Sequence, residues 1–88
     1  MKPVIISQHA RDQMDDRGAS ESEIEEAVRS GDRAEAGRGL LSFRKNFPYT
    51  RDWKGRLFAT KQVRPILAEE ADRFVVVTVY VYYFGGNE

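Results

Sequence analysis

The chain has 88 residues, of which 41% are hydrophobic, with no cysteine, one histidine and a formal net charge of zero. A chain of this length builds one small domain with a modest core, and we predict a single domain over residues 1–88. The composition excludes disulfides and thiolate sites and argues against bound zinc, so we expect no metal and no cofactor. No stretch approaches a membrane span or a signal peptide, which predicts a cytoplasmic protein without a membrane partner.

The first third of the chain predicts two helices in a short hairpin. Ser7 is a candidate N-cap for a helix that runs to about Arg17, and Gly18 follows as the residue that stops it. Ser20 and Glu23 have the spacing of a capping box at the start of a second helix. The apolar stripe of that helix and its terminating glycine are Ile24, Ala27, Val28 and Gly31.

The sequence after Gly31 has the pattern of β-strands. Alternation predicts a strand in LLSFRKNF, a polar loop in YTRDWKGR with Gly55 as its turn residue, and one bent strand or two in LFATKQVRPILA. The glycines of AGRGL predict a hairpin turn, and FVVVTVYVYYF is the longest strand. The expected fold is α+β, with two N-terminal helices packed on one face of a four- to five-stranded, mainly antiparallel sheet.

The last strand predicts two different faces. Val75, Val77, Val79 and Val81 alternate on a purely aliphatic face, which we expect to pack on the helices. The opposite face carries the remaining side chains: Phe74, Val76, Thr78, Tyr80, Tyr82 and Phe84. Since two helices cover only one face of such a sheet, this aromatic surface is expected to have a partner.

The zero net charge hides an uneven distribution. Residues 37–64 hold eight basic residues and a single acid, Asp52, whereas the segments on both sides are acidic. A basic middle segment indicates an anionic partner, although its charges can also pair within the fold. The sequence pI of 6.6 favours a protein partner instead.

The segments HARDQMDDRGASESEIEEAVRSGD and VVTVY carry a family resemblance. They are similar to a small bacterial family of uncharacterised domains with an H-A-x-x-R-M-x-x-R-G first helix, grouped with the RelE/ParE-like, barnase–EndoU–colicin–RelE ribonuclease-toxin fold. The resemblance implies a metal-independent RNA-cleaving toxin or an RNA-binding protein, with RNA or the ribosome and an antitoxin as partners. Gln13 stands where the family has an arginine. The alternative is a non-catalytic protein-interaction module, or a homodimer through the aromatic face.

Three residues are candidates for catalysis under the nuclease hypothesis. His9 or Tyr80 would transfer protons, and Arg44 would stabilise the scissile phosphate. For His9 a structural role at the edge of the first helix is an equally open interpretation, and we favour it narrowly because Gln13 departs from the family pattern.

Four further residues are candidates for substrate binding. Arg17 would bind a phosphate, or else lay its stem over the core and cap the end of the helix, and we favour the second role because Gly18 directly follows it. Lys45 and Arg64 are cations near Arg44, but neighbours on a strand point to opposite faces, so Arg44 and Lys45 cannot line the same site. Thr78 would position a phosphate, or simply reflect the β-propensity of threonine.

Overall fold

The protein, described here over residues 2–85 of a computed structural model, has two helices packed on a five-stranded sheet. The elements are β1 (Val4–Ile6), α1 (Gln8–Arg17), α2 (Glu21–Ser30), β2 (Asp32–Gly37), β3 (Leu40–Trp53), β4 (Arg56–Glu69) and β5 (Phe74–Phe84). The strand order is β1-β5-β4-β3-β2, in which β1 is parallel to β5 and the other neighbours are antiparallel. The predicted α+β fold is confirmed. Neither described helix has the length and apolarity needed to cross a membrane.

Both helices begin and end where local chemistry predicts. The Ser7 hydroxyl accepts a hydrogen bond from the backbone of Ala10, and Gly18 ends α1 in the left-handed conformation at φ 83°. At the start of α2, Ser20 and Glu23 form the reciprocal bonds of a capping box. These contacts satisfy backbone groups that have no partner within a helix, and they fix the hairpin between α1 and α2.

Tight hairpins join two of the three antiparallel strand pairs, β2–β3 and β3–β4. Positive φ at consecutive residues, Arg38 and Gly39 in one turn and Lys54 and Gly55 in the other, is typical of type I′ turns. The predicted polar loop over residues 49–56 is wrong, because β3 and β4 stay paired up to the turn. Its polar composition reflects exposure to solvent and not the absence of strand structure.

A β-bulge in β5 exchanges the two faces of that strand. Ile66 pairs with Thr78, but its neighbour Leu67 pairs with Val76, so Val77 is an extra residue. Before the bulge Val76 points into the core, and after it Val79 does. The prediction for this strand is therefore wrong for four residues: Val75 and Val77 leave the helix face, and Phe74 and Val76 join it.

One compact core lies between the helices and the sheet. α2 contributes Ile24 and Val28, and α1 contributes Ala10 and Met14. The strands contribute the remaining members of the buried cluster: Ile6, Phe43, Val63, Leu67, Phe74, Val76 and Val79. Within residues 2–85, neither helix packs on the opposite face of the sheet.

The first helix covers a free edge of β5. In the described part of the chain, β1 pairs only with the beginning of β5, so the later backbone of β5 has no strand on that side. The Gln13 side-chain oxygen accepts hydrogen bonds from the Val79 backbone N–H at 2.8 Å and from the Thr78 hydroxyl. Arg17 donates to the Val79 carbonyl at 2.6 Å, and Tyr83 donates to the Arg17 carbonyl at 2.7 Å. Side chains of α1 thus replace a strand at this edge.

Candidate functional site

The open face of the sheet carries a row of charged and aromatic side chains. Tyr80 of β5 pairs with Arg64 of β4, and Arg44 of β3 pairs with Asp32 of β2. The β3–β4 register pairs Ser42 with Ile66 and Lys45 with Val63, which places Arg44 opposite Arg64. Neighbouring strands are about 5 Å apart, so Tyr80, Arg64 and Arg44 stand side by side across the sheet.

Arg17 extends this row around the edge of β5. Its guanidinium carbon lies 5.5 Å from the centre of the Tyr80 ring, and that of Arg64 lies 6.0 Å from the same ring. The contact of Arg17 with the Val79 carbonyl holds it at this edge. The order across the open face is therefore Arg17, Tyr80, Arg64 and Arg44, which we call the arginine row.

The arginine row borders a cleft of about 350 Å³. The residues that line it are Asp32, Arg33, Ala34, Ser42, Arg44, Gln62, Arg64 and Tyr82. Like charges on directly opposed strand residues are unfavourable, so Arg44 and Arg64 together favour an anion between them. The Arg44–Asp32 contact of 3.7 Å joins side chains that are 56% and 83% exposed, which makes it weak. The charge of Arg44 is therefore only weakly neutralised by Asp32.

Aromatic rings continue along β5 beside the cleft. Tyr80 is 40% exposed, Tyr82 45% and Phe84 43%, and they alternate with the inward residues after the bulge. The Tyr80 and Tyr82 rings are nearly parallel, with an interplanar angle of 16° and centres 6.5 Å apart. Exposed rings next to guanidinium groups suit a ligand that has both flat apolar parts and negative charge.

The structure brings most of the predicted site residues together, but not all. Arg17, Arg44, Arg64 and Tyr80 form the arginine row. Thr78 lies on the same face, and its hydroxyl is bonded to Gln13 at the edge.

Two predicted residues lie elsewhere. Lys45 points to the helix side, where it donates to Ser30 at 3.0 Å and lies 3.5 Å from the Glu26 carboxylate. His9 is exposed in the first turn of α1. Eight residues separate it from Arg17, which corresponds to about 12 Å along the helix axis. Neither Lys45 nor His9 is therefore part of the arginine row.

The basic middle segment divides into groups with different surroundings. Lys61 is 5% exposed and pairs with Glu23 of α2 at 2.7 Å, as Lys45 pairs with Glu26. Arg44 and Arg64 face the open side of the sheet. The remaining cations lie in the two hairpin turns and their flanks. Only part of the positive charge is thus neutralised by the helices.

Sequence reasoning named two of the eight cleft residues, Arg44 and Arg64, and missed the other six: Asp32, Arg33, Ala34, Ser42, Gln62 and Tyr82. Ser42 is 2% exposed, and Gln62 donates a hydrogen bond to Asn46 at 2.8 Å. Tyr82 was assigned to the correct face but to no site. Ser42 and Gln62 could have been predicted from the alternation of β3 and β4. Each lies two residues from an arginine of the row and therefore on the same face of the sheet.

Comparison with known proteins identifies a family. No curated protein and no solved structure matches the chain. A family model described as a domain of unknown function, DUF4258, matches residues 6–81. This match includes both helices, β2, β3, β4 and most of β5. The chain therefore belongs to the DUF4258 family.

Proposed function

We propose that this protein binds single-stranded RNA on the open face of its sheet. The observation that supports the proposal is the arginine row, in which Tyr80 stands between the guanidinium groups of Arg17 and Arg64 and Arg44 follows on the next strand. Guanidinium groups form paired hydrogen bonds with phosphate oxygens, and aromatic rings stack with bases.

The exposed rings favour a single strand over a duplex. Bases in a double helix are stacked on each other, so Tyr80 and Tyr82 would find no free base face there. An unpaired strand can place bases on these rings while its phosphates reach the arginines. Sheet surfaces with exposed aromatic residues bind single-stranded RNA in this way.

Cleavage is a second candidate, supported by the mixture of groups in the row. Metal-independent cleavage needs phosphate stabilisation and proton transfer at one place, and Arg44, Arg64 and Tyr80 supply both kinds of group. The RelE-like resemblance points in the same direction. His9 would contribute only if the substrate reached the start of α1.

Binding is tested with a labelled oligouridine over a series of salt concentrations. For single strands the slope of log affinity against log salt is about −0.7 per phosphate contact, so Arg44→Gln with Arg64→Gln should reduce it by about 1.4. A matched control removes two arginines from exposed ion pairs outside the open face, Arg29→Gln with Arg73→Gln, and should leave the slope unchanged. Equal losses in both variants, or no binding by the native protein at low salt, would contradict the proposal.

Cleavage and self-association are measured on the same samples. Incubation of RNA in the presence of a chelator should give products with the native protein, and not with Tyr80→Phe, if the row is catalytic. His9→Gln tests the histidine in the same assay. If the aromatic face instead joins two copies, sedimentation should show a dimer that Tyr82→Glu dissociates, and RNA should compete with dimerisation.

A further inference from the structure

Within residues 2–85, the hairpin formed by β3 and β4 extends beyond the rest of the sheet. The last pairing of β4 with β5 joins Thr60 to Phe84, whereas β3 and β4 remain paired as far as Trp53 and Arg56. We call residues 49–58 the hairpin tip. At about 3.3 Å per residue, it projects roughly 15 Å past the last residue pair of β5.

The hairpin tip displays three exposed cations on aromatic rings. Each charged group lies over a ring of the tip: Arg51 over Tyr49 at 5.0 Å, Lys54 over Trp53 at 5.4 Å, and Arg56 over Phe58 at 5.4 Å. The single acid of the tip, Asp52, accepts a hydrogen bond from the Gly55 backbone at 2.8 Å. Within residues 2–85, none of the three cations forms a salt bridge, so their charge is available to a ligand.

Aromatic packing anchors the tip to the body of the domain. The ring of Tyr83 is stacked on Trp53 with centres 4.8 Å apart, and it also contacts Tyr49 at 5.2 Å and Phe58 at 5.7 Å. The Tyr83 hydroxyl in turn donates to the Arg17 carbonyl at the end of α1. The cations therefore stand on an ordered element, which reduces the entropy that binding has to overcome.

We propose that the hairpin tip is a second phosphate-binding surface, which holds the continuation of the RNA strand bound at the arginine row. This inference rests on the proposed function. A polyanion is the ligand that matches three unneutralised cations on one short ribbon. Eight residues of β4 separate Arg64 from Arg56, about 26 Å of extended chain, so only a strand of several nucleotides can reach both surfaces.

The test compares oligouridines of about four and about twelve nucleotides, a range typical of single-strand sites. The tip variant combines Arg51→Gln, Lys54→Gln and Arg56→Gln. The control variant removes the same charge from three exposed ion pairs elsewhere: Arg11→Gln, Arg29→Gln and Arg73→Gln. Melting temperatures verify that each variant is folded.

The native protein should bind the longer strand more tightly than the shorter one. The tip variant should lose this gain and reduce the salt slope for the longer strand by about 2, because three contacts contribute about 0.7 each. Its affinity for the shorter strand should match that of the native protein, and the control variant should behave as native with both strands.

Two results would overturn the inference. If the tip variant binds the longer strand as the native protein does, while Arg44→Gln with Arg64→Gln weakens binding, the tip is not a contact surface and the proposed function stands. If the native protein binds neither strand, the inference and the proposed function fall together.

Discussion

Replacement of Gln13 by leucine tests the role of α1 as a substitute for an edge strand. The shorter leucine side chain has no acceptor, so the Val79 N–H and the Thr78 hydroxyl both lose their partner. The hydroxyl can rotate toward other acceptors, whereas the backbone N–H is fixed beside the packed helix. A donor left unsatisfied in such a position costs about 1–3 kcal/mol, a substantial part of the ~5–10 kcal/mol that stabilises a small domain.

Gln13→Glu is the matched variant, because a carboxylate keeps an acceptor at the same position. It should be close to native stability at neutral pH. Hydrogen bonds from Val79 and Thr78 favour the charged form of the new carboxyl and lower its pKa in the folded state. The contribution of this ionised carboxyl to the free energy of unfolding should therefore be fully present above the unfolded pKa of about 4.3. It should be lost as the pH falls through the lower pKa of the folded state.

The measurement is urea unfolding followed by Trp53 fluorescence, together with hydrogen exchange of the Val79 amide. Gln13→Leu should lower the free energy of unfolding and speed exchange at this amide. If Gln13→Leu is as stable as the native protein and the Val79 amide is equally protected, the proposed role of Gln13 is refuted.

Further predictions concern the bulge, the turn after α1 and the partly buried Tyr83. Val79→Asp should unfold the domain, because Val79 is fully buried, whereas Val77→Asp at the bulge should remain folded in a thermal melt. Gly18→Ala should lower the melting temperature, because the residue has φ 83° and an added Cβ would lie 2.8 Å from the Trp53 ring. Burial raises the pKa of Tyr83 to about 12 from its ordinary value of 10.0. The neutral phenol therefore favours the folded state below pH 10, and this contribution should be lost as the pH rises towards 12, so that stability declines more steeply in the native protein than in Tyr83→Phe.

The architecture was predictable because its signals are local. Ser7, Gly18 and the Ser20–Glu23 capping box each act on neighbouring backbone groups, so their effect can be recognised from spacing alone. The bulge at Val77 was not predictable, because β5 has valines on both faces. No difference in polarity between the two faces therefore specifies which residue is extra. The full length of the β3–β4 hairpin was not predictable, because its turn contains Lys54 at positive φ and lysine rarely adopts that conformation.

The candidate site was predictable only in part for a related reason. Alternation placed Arg44 and Tyr80 on the uncovered face, since period two depends on the strand itself. The alignment of Arg44 with Arg64 depends on the register between two strands, which is set by the long hairpin. The arrival of Arg17 beside Tyr80 depends on where α1 docks along β5, and that position is a property of the tertiary structure.

The strand order has a consequence for how the domain assembles during synthesis. β5 is the last of the five strands to leave the ribosome, yet it lies between β1 and β4 and carries the edge to which α1 is bonded. Until it emerges, the first strand and the first helix have no docking place, although they were made some 60 residues earlier, several seconds at about 5–20 residues per second. Contacts between residues so far apart in sequence form slowly, so the folding of the whole domain depends on the late docking of β5. A chain cut before Phe74 should therefore lose order at its beginning as well as at its end.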